Sequence, residues 1–505
     1  MPQDLAANPP TGPFASAVFD NSYARLPGRF FTRLSPSPVS GPGLIKVNRP
    51  LADLLGLDAD ALASEAGVQM LAGNRLPPGA DPLAQVYAGH QFGGWSPQLG
   101  DGRAILLGEI VGRDGVRRDI QLKGSGRTPY SRSADGRAAL GPVMREYIIS
   151  EAMYALGIPT TRSLAAVTTG DAVYRESALP GAVLTRVAQS HIRVGTFQYL
   201  YSRDDAEGLR ALADHVIDRH YPEAAAADQP YAAMLEAILV RQAALVAQWM
   251  LVGFIHGVMN TDNMQIAGET IDYGPCAFMD AFHPGRVYSS IDHQGRYAYG
   301  NQASIAQWNL AQLAQALLPI LDESPEAAVQ QAQAIVDTFP KRFEAAFTEG
   351  LRAKLGLFSA EAGDLALAQG LLTAMTKGEA DFTLTFRWLA NVVDGQGLAL
   401  RNPRNLFNDP AVFEEWLQAW AARAQREDVA PVDRAAAMRA VNPLFIPRNH
   451  LVEEAIRAGE DRGDFGPMEA LLAVLAHPFD DQPDAARYAL PPTPEQVVPQ
   501  TFCGT

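Results

Sequence analysis

His256-Gly257-Val258-Met259-Asn260-Thr261-Asp262-Asn263, followed shortly by Asp272-Tyr273-Gly274, is the stretch on which the reading of this chain turns. The amide of Asn263 and the carboxylate of Asp272 are hard oxygen donors, of the kind that hold Mg²⁺ or Mn²⁺ against substrate phosphates. Two residues after the histidine stands Val258, whose aliphatic side chain cannot take a proton from a hydroxyl. Asp262, immediately before Asn263, is the carboxylate left to do so and is the candidate general base. Beside a dication it stays ionised and is a weak base at neutral pH, so its service is to position a hydroxyl and accept the proton late.

The order is that of a protein-kinase catalytic loop and magnesium motif, H-R-D-x-x-x-x-N and then D-F-G, with the catalytic Asp replaced by Val258. The sequence upstream supplies the rest of such a site. Gly100-Asp101-Gly102-Arg103 opens the apolar run Ala104–Val111, and Gly112-Arg113-Asp114-Gly115 reads as a tight turn. The return strand ends on Lys123, and a helical pattern from about Ala138 to Leu156 carries Glu146, the expected partner of that lysine. Glu151 is the alternative on the same helix. Gly100 and Gly102 allow close backbone approach to phosphates, while Arg103 and Lys123 supply positive charge. His256 and His191 have no neighbours at metal-ligand spacing and read as satisfied core or loop histidines.

Long and unusual motifs then narrow the reading. Tyr87-Ala-Gly-His-Gln-Phe-Gly-Gly-Trp95, Leu99-Gly-Asp-Gly-Arg103, Leu122-Lys-Gly-Ser-Gly-Arg-Thr-Pro-Tyr-Ser-Arg132 and Asn260-Thr-Asp-Asn-Met264 resemble the selenoprotein O family, most densely from about Phe19 to Asp280. The resemblance implies an α+β, protein-kinase-like, two-lobed fold with N- and C-terminal extensions. It also implies a pseudokinase acting as a protein adenylyltransferase, in which ATP lies flipped and AMP moves to Ser, Thr or Tyr hydroxyls with release of pyrophosphate. By the same resemblance Asp135 and Gly136 contact nucleotide, and Arg186 and Arg193 reach phosphate oxygens, a task suited to a forked guanidinium. Asp272 serves both nucleotide and metal. His90-Gln91-Phe92 reads as a family signature and scaffold. The family carries selenocysteine or cysteine near its C-terminus, so Cys276 and Cys503 form a candidate redox pair, a latch that oxidation closes over the site.

Composition agrees with such an enzyme. The chain has 505 residues, 47% of them hydrophobic, enough for several cores. A net charge of −15 argues against nonspecific nucleic-acid binding. No uninterrupted run of about 18 apolar residues suggests a membrane span, and the N-terminus lacks the basic and apolar regions of a secretory signal. Two cysteines give no disulfide framework. The expectation is a cytoplasmic protein whose partners are ATP and hydroxyl-bearing proteins, redox-related ones among them, with no nucleic acid and no membrane. The expected divisions are an irregular N-terminal extension over 1–80, a small strand-rich lobe over 81–187 and a helical lobe over 188–330. A helical extension follows over 331–477, then a flexible tail over 478–505. Met264–Ile266 and Thr270–Ile271 are expected to pair as a small hairpin. A noncatalytic ATP-binding scaffold and a true hydroxyl phosphotransferase are the competing readings. The first gives no reason to keep Lys123, Glu146, Asn263 and Asp272 together, and the second lacks its base at Val258.

Overall fold

The computed structural model describes residues 12–14 and 17–502. Its centre is an antiparallel sheet of β1 (Phe31–Arg33), β2 (Gly43–Val47), β3 (Leu83–Gln91), β5 (Ala104–Val111), β6 (Arg117–Lys123), β8 (Arg162–Tyr174) and β9 (Ala178–Ala188), in the order β1-β3-β5-β6-β9-β8-β2. β4 (Gly94–Gly100) folds back on β3, and the two-residue β7 (Ala138–Ala139) pairs with β9. The turn read at 112–115 joins β5 to β6, with Gly115 at φ +76° and the Asp114 carboxylate accepting from Val116 N at 3.1 Å.

Alternation along the strands separates the two faces of this sheet. Ile120 and Leu122 of β6 and Val183 and Val187 of β9 pack against Leu51, Leu55, Leu62 and Leu71. These come from the helical N-terminal segment of α1 (Arg49–Leu54), α2 (Ala59–Ala63) and α3 (Glu65–Leu71). Ala182 and Leu184 face the other way, onto Val143, Tyr147 and Ile148 of α4 (Leu140–Ala155). The polar residues that alternate with the first set, Gln121, Lys123 and Arg186, are thereby turned towards the α4 side.

The N-terminal stretch is more regular than its Pro- and Gly-rich sequence suggests. β1 and β2 complete opposite edges of the sheet, and Asn48 caps α1 by accepting from Leu51 N at 3.1 Å. Strands of three and five residues are too short to show a period of their own.

Beyond β9 the chain becomes helical. α5 (Val194–Tyr201), α6 (Ala206–His220), α7 (Pro230–Leu251) and α8 (Gln302–Leu321) share one large core with α9 (Pro325–Val336) and the helices that follow as far as residue 441. The last two α-helices, Asn449–Arg462 and Gly466–Leu475, pack on α4 instead. By length and composition α7 could cross a membrane, which the interrupted sequence pattern did not suggest; here 61% of its most apolar window is buried inside the protein. It packs against α8 and against α10 (Phe339–Lys354), as a core helix does.

Two expectations need correction. Met264–Ile266 and Thr270–Ile271 do not pair with each other. Gln265 bridges to Arg193 and Thr270 to Thr160, because each finds its backbone partner in a neighbouring segment. The segment from 478 to 502, expected as a flexible tail, is docked. Arg448 Nε donates to Ala489 O at 3.0 Å, and Thr501 N donates to Tyr288 O at 2.8 Å.

Candidate active site

The charged wall of the site follows from the strand alternation. Lys123 closes β6, and its ammonium meets the Glu146 carboxylate at 2.5 Å across the gap to α4. Arg186, on the neighbouring strand and 1% exposed, donates through Nε to the same carboxylate at 2.8 Å. Burial alone would push Glu146 up; Arg186 and Lys123 outweigh it and hold the carboxyl below its usual range. Glu151 turns elsewhere, to Arg162 at 2.6 Å and to Asn48 at 2.7 Å, which settles the choice of partner for Lys123.

Asp272 joins this cluster from the other side. It adopts a left-handed backbone, φ +62°, a conformation Asp tolerates better than most residues. Arg186 reaches it at 2.8 Å, Lys123 lies at 3.7 Å, and Arg193 forms a second ion pair with it. Burial opposes ionisation, but Arg193, Arg186 and Lys123 draw the carboxyl well below the ordinary carboxylate value. Arg193 sits just before α5, and its backbone N–H donates to Thr196 Oγ1 at 3.1 Å. Its guanidinium lies 4.8 Å from the Tyr87 ring centre and donates to the Asp262 carbonyl at 2.6 Å. One arginine therefore ties the Asp272 carboxylate to the catalytic loop.

Within that loop Val258 is buried, and its carbonyl accepts from Asn263 Nδ2 at 2.9 Å, so the Asn263 amide has a fixed orientation. His256 meets Ile271 O through Nε2, 2.8 Å away, and is a satisfied core histidine as expected. His191 is also buried and meets Asp119 through Nδ1 at 2.9 Å, but its Nε2 has no partner. Asp262 is 6% exposed, with Oδ2 accepting from Gln91 Nε2 at 3.0 Å and Oδ1 without a partner. Burial pushes its carboxyl up to about 6, against the pull of Arg193 and Gln91.

Lys123, Arg186, Arg193, Asp262, Asn263 and Asp272 line one cleft of about 600 Å³, which also takes in Gly100, Gly102, Arg103, Asp135 and Gly136. The two glycines of the first motif are required by packing before any ligand is considered. A Cβ at Gly100 would stand 2.5 Å from the Tyr130 ring, and one at Gly102 2.8 Å from Tyr130 O. Asp135 pairs with Arg175 at 2.9 Å and Gly136 has φ +71°, so this pair forms part of the rim. Sequence reasoning missed Asp101, which is buried and pushed by desolvation up to about 6, although it stands inside the quoted Gly-Asp-Gly motif. It also gave Gln91 no chemistry.

Among the described residues no group of three or more His, Cys, Asp or Glu side chains could hold a metal. The donors at the cleft are an amide and a carboxylate, all oxygen and too few for a closed cage. That set fits Mg²⁺ or Mn²⁺ completing its shell with water and phosphates, and does not fit zinc. Cys276 is buried at the end of the Asp272-Tyr-Gly-Pro turn, and Thr501 Oγ1 donates to the preceding carbonyl, Pro275 O, at 2.7 Å. Cys503 lies outside the described residues.

Comparison with known proteins bears on this geometry. A family model described as "Protein adenylyltransferase SelO" matches residues 13–476. "Protein nucleotidyltransferase YdiU" of Rhodopseudomonas palustris (strain BisB5) is 62% identical over 488 residues, covering 96% of this chain and 99% of that protein. The protein of the same name from Rhizobium etli is 60% identical over 493 residues, 98% of each chain. That from a strain of Methylorubrum extorquens is 62% identical over 492 residues, 96% of this chain and 99% of its own length.

Proposed function

The chain belongs to the SelO family of protein adenylyltransferases and is a protein nucleotidyltransferase, and from that premise we propose that the cleft moves AMP from ATP to Ser, Thr or Tyr hydroxyls of other proteins. The sheet with α4 then acts as the small lobe of a kinase-like pair, residues 188–330 as the large one, and the helices beyond as an extension. The observation that carries the reading is the pairing of two unlike walls. Asp272 is held among Lys123, Arg186 and Arg193, while Asp262 presents an unpartnered carboxylate oxygen beside them.

Each residue has a task in this reading. Lys123, fixed by Glu146, and the guanidinium groups of Arg186 and Arg193 bind the β- and γ-phosphates and stabilise charge on the departing pyrophosphate. Asn263 and Asp272 would hold the divalent cation, whose chemistry is to neutralise phosphate charge. Asp262 orients the acceptor hydroxyl towards the α-phosphorus and takes its proton as the new P–O bond forms and the bond to pyrophosphate breaks. Because Arg186 and Arg193 are already pre-set around an anion, exchanging the Asp272 carboxylate for phosphate oxygens costs little reorganisation. The flipped placement of ATP, which brings the α-phosphate to Asp262, rests on the family resemblance.

The same reading gives Cys276 a regulatory part. An oxidant such as peroxide would join the Cys276 and Cys503 sulfurs, taking one proton and one electron from each thiol. The docking of Thr501 on Pro275 brings the chain to this neighbourhood two residues before Cys503. ATP supply and a reversible thiol pair suit a reducing cytoplasm.

The test is the fate of label from ATP. Label at the α-phosphorus is expected on protein, with an AMP mass increment on a hydroxyl residue and pyrophosphate in solution. Stable transfer of γ label to protein instead would replace this reading with phosphotransfer.

A further inference from the structure

The signature His90-Gln91-Phe92 has a place that its role as scaffold does not exhaust. β3 and β4 meet in a two-residue turn, Phe92 at φ +51° and Gly93 at φ +83°, with Gln91 paired to Gly94 across it. Positive φ at both central positions is the turn that matches strand twist, but an aromatic residue there is strained. The strain is tolerated because the tip is fastened to the catalytic loop. His90 N donates to Thr261 Oγ1 at 2.7 Å, and Phe92 N to Asn260 Oδ1 at 3.1 Å. Tyr297 OH reinforces the second contact, donating to Asn260 Oδ1 at 2.6 Å, and its ring meets that of Phe92 at 5.0 Å.

Between these two anchors lies Gln91, whose amide donates to Asp262 Oδ2 at 3.0 Å. Gly89, on the same strand, leaves room for the carboxylate: a Cβ there would stand 2.6 Å from Asp262 Oδ1. The other oxygen, Oδ1, is buried without a partner, and Asp262 and Gln91 both line the cleft. A carboxylate with one oxygen held by the Gln91 amide and the other packed against Gly89 is fixed in one plane at the wall of the cleft.

The geometry points to Gln91 as a positioning residue for the transfer step, holding the Asp262 carboxylate in the orientation in which it meets the acceptor hydroxyl. This rests on the reading of Asp262 as the group that takes the hydroxyl proton. Gln91 itself forms and breaks no bond. It fixes the plane of the carboxylate, and its hydrogen bond to a charged group has a strength that its loss should reveal in the rate.

Two variants separate donor from filler. Gln91→Met keeps the bulk and removes the N–H, and Gln91→Ala removes both. With ATP at saturation, both are expected to lower kcat about ten-fold or more. ATP affinity, measured by direct titration, should stay within about two-fold of wild type, since Gln91 touches no phosphate ligand. The coupling is read from Asp262→Asn, combined with Gln91→Met. In that background the second substitution should cost less than about two-fold, because the carboxylate it served is gone. A Gln91→Met enzyme with wild-type kcat would overturn the inference, as would a penalty equally large in both backgrounds. Full activity in Asp262→Asn alone would instead strike at the reading of Asp262 and leave the hairpin contact as packing. Thermal melts identify a variant that fails to fold; a fall in kcat that tracks lost folded protein assigns Gln91 to structure.

Discussion

The two walls of the cleft are built on opposite principles. On one, Glu146 and Asp272 are each matched by cations, Lys123, Arg186 and Arg193 among them, with one positive charge in excess and both carboxyls below their usual range. On the other, Asp262 is buried with one oxygen unmatched and its carboxyl pushed up to about 6. A matched cluster is a rigid receptor for anionic phosphates. An unmatched carboxylate stores a desolvation cost that an incoming hydroxyl can relieve. In the proposed reading the difference separates a binding surface from a reacting one.

Substitutions on the matched wall should therefore have large and general consequences. Asp272→Ala is expected to abolish transfer, since it removes a carboxylate that serves the cation and holds both arginines; transfer assays with radiolabelled ATP check this directly. Glu146→Ala leaves Arg186 and Lys123 without their shared anion in a buried setting. A loss of about 3 kcal/mol of folding stability is expected, read by denaturant unfolding. A Glu146→Ala protein as stable as wild type would mean that the wall is not held together by its charges. Lys123→Ala, whose ammonium is partly exposed, should cost about 2 kcal/mol of transition-state stabilisation in kcat/KM, with a smaller effect on stability.

Smaller effects belong at the edge of the site. Mild oxidation is expected to lower activity partially and reductant to restore it, with Cys503→Ala insensitive to both. A non-reducing peptide map with both thiols still reduced after oxidation would remove the latch.

How far this was legible in the sequence differs between the walls in the same way. Lys123 and Glu146 could be matched because each sits in a long element with a clear period, and their order is that of a known site. Arg186 was reached through the family resemblance, and the alternation of β9 in the structure accounts for its face. Arg193 lies where a strand gives way to a helix, and only the family resemblance pointed to it. Gln91 could not be found at all. Its partner is 171 residues away, and the contact depends on a turn with an aromatic residue at positive φ, which no local preference predicts. The edge strands β1 and β2 escaped for a related reason, being too short to carry a pattern. Segments 264–266 and 270–271 have strand-like composition, but their partners were chosen by tertiary contact.

The division of the cleft is tested most directly by measuring, in one set of enzymes, both ATP affinity and the rate of AMP transfer for Asp262→Ala. The account predicts ATP binding close to wild type, transfer depressed by orders of magnitude and folding stability undiminished, since an unmatched buried carboxylate has been removed. Loss of ATP binding as severe as in Asp272→Ala would contradict it, and would make Asp262 another part of the phosphate- and metal-holding wall.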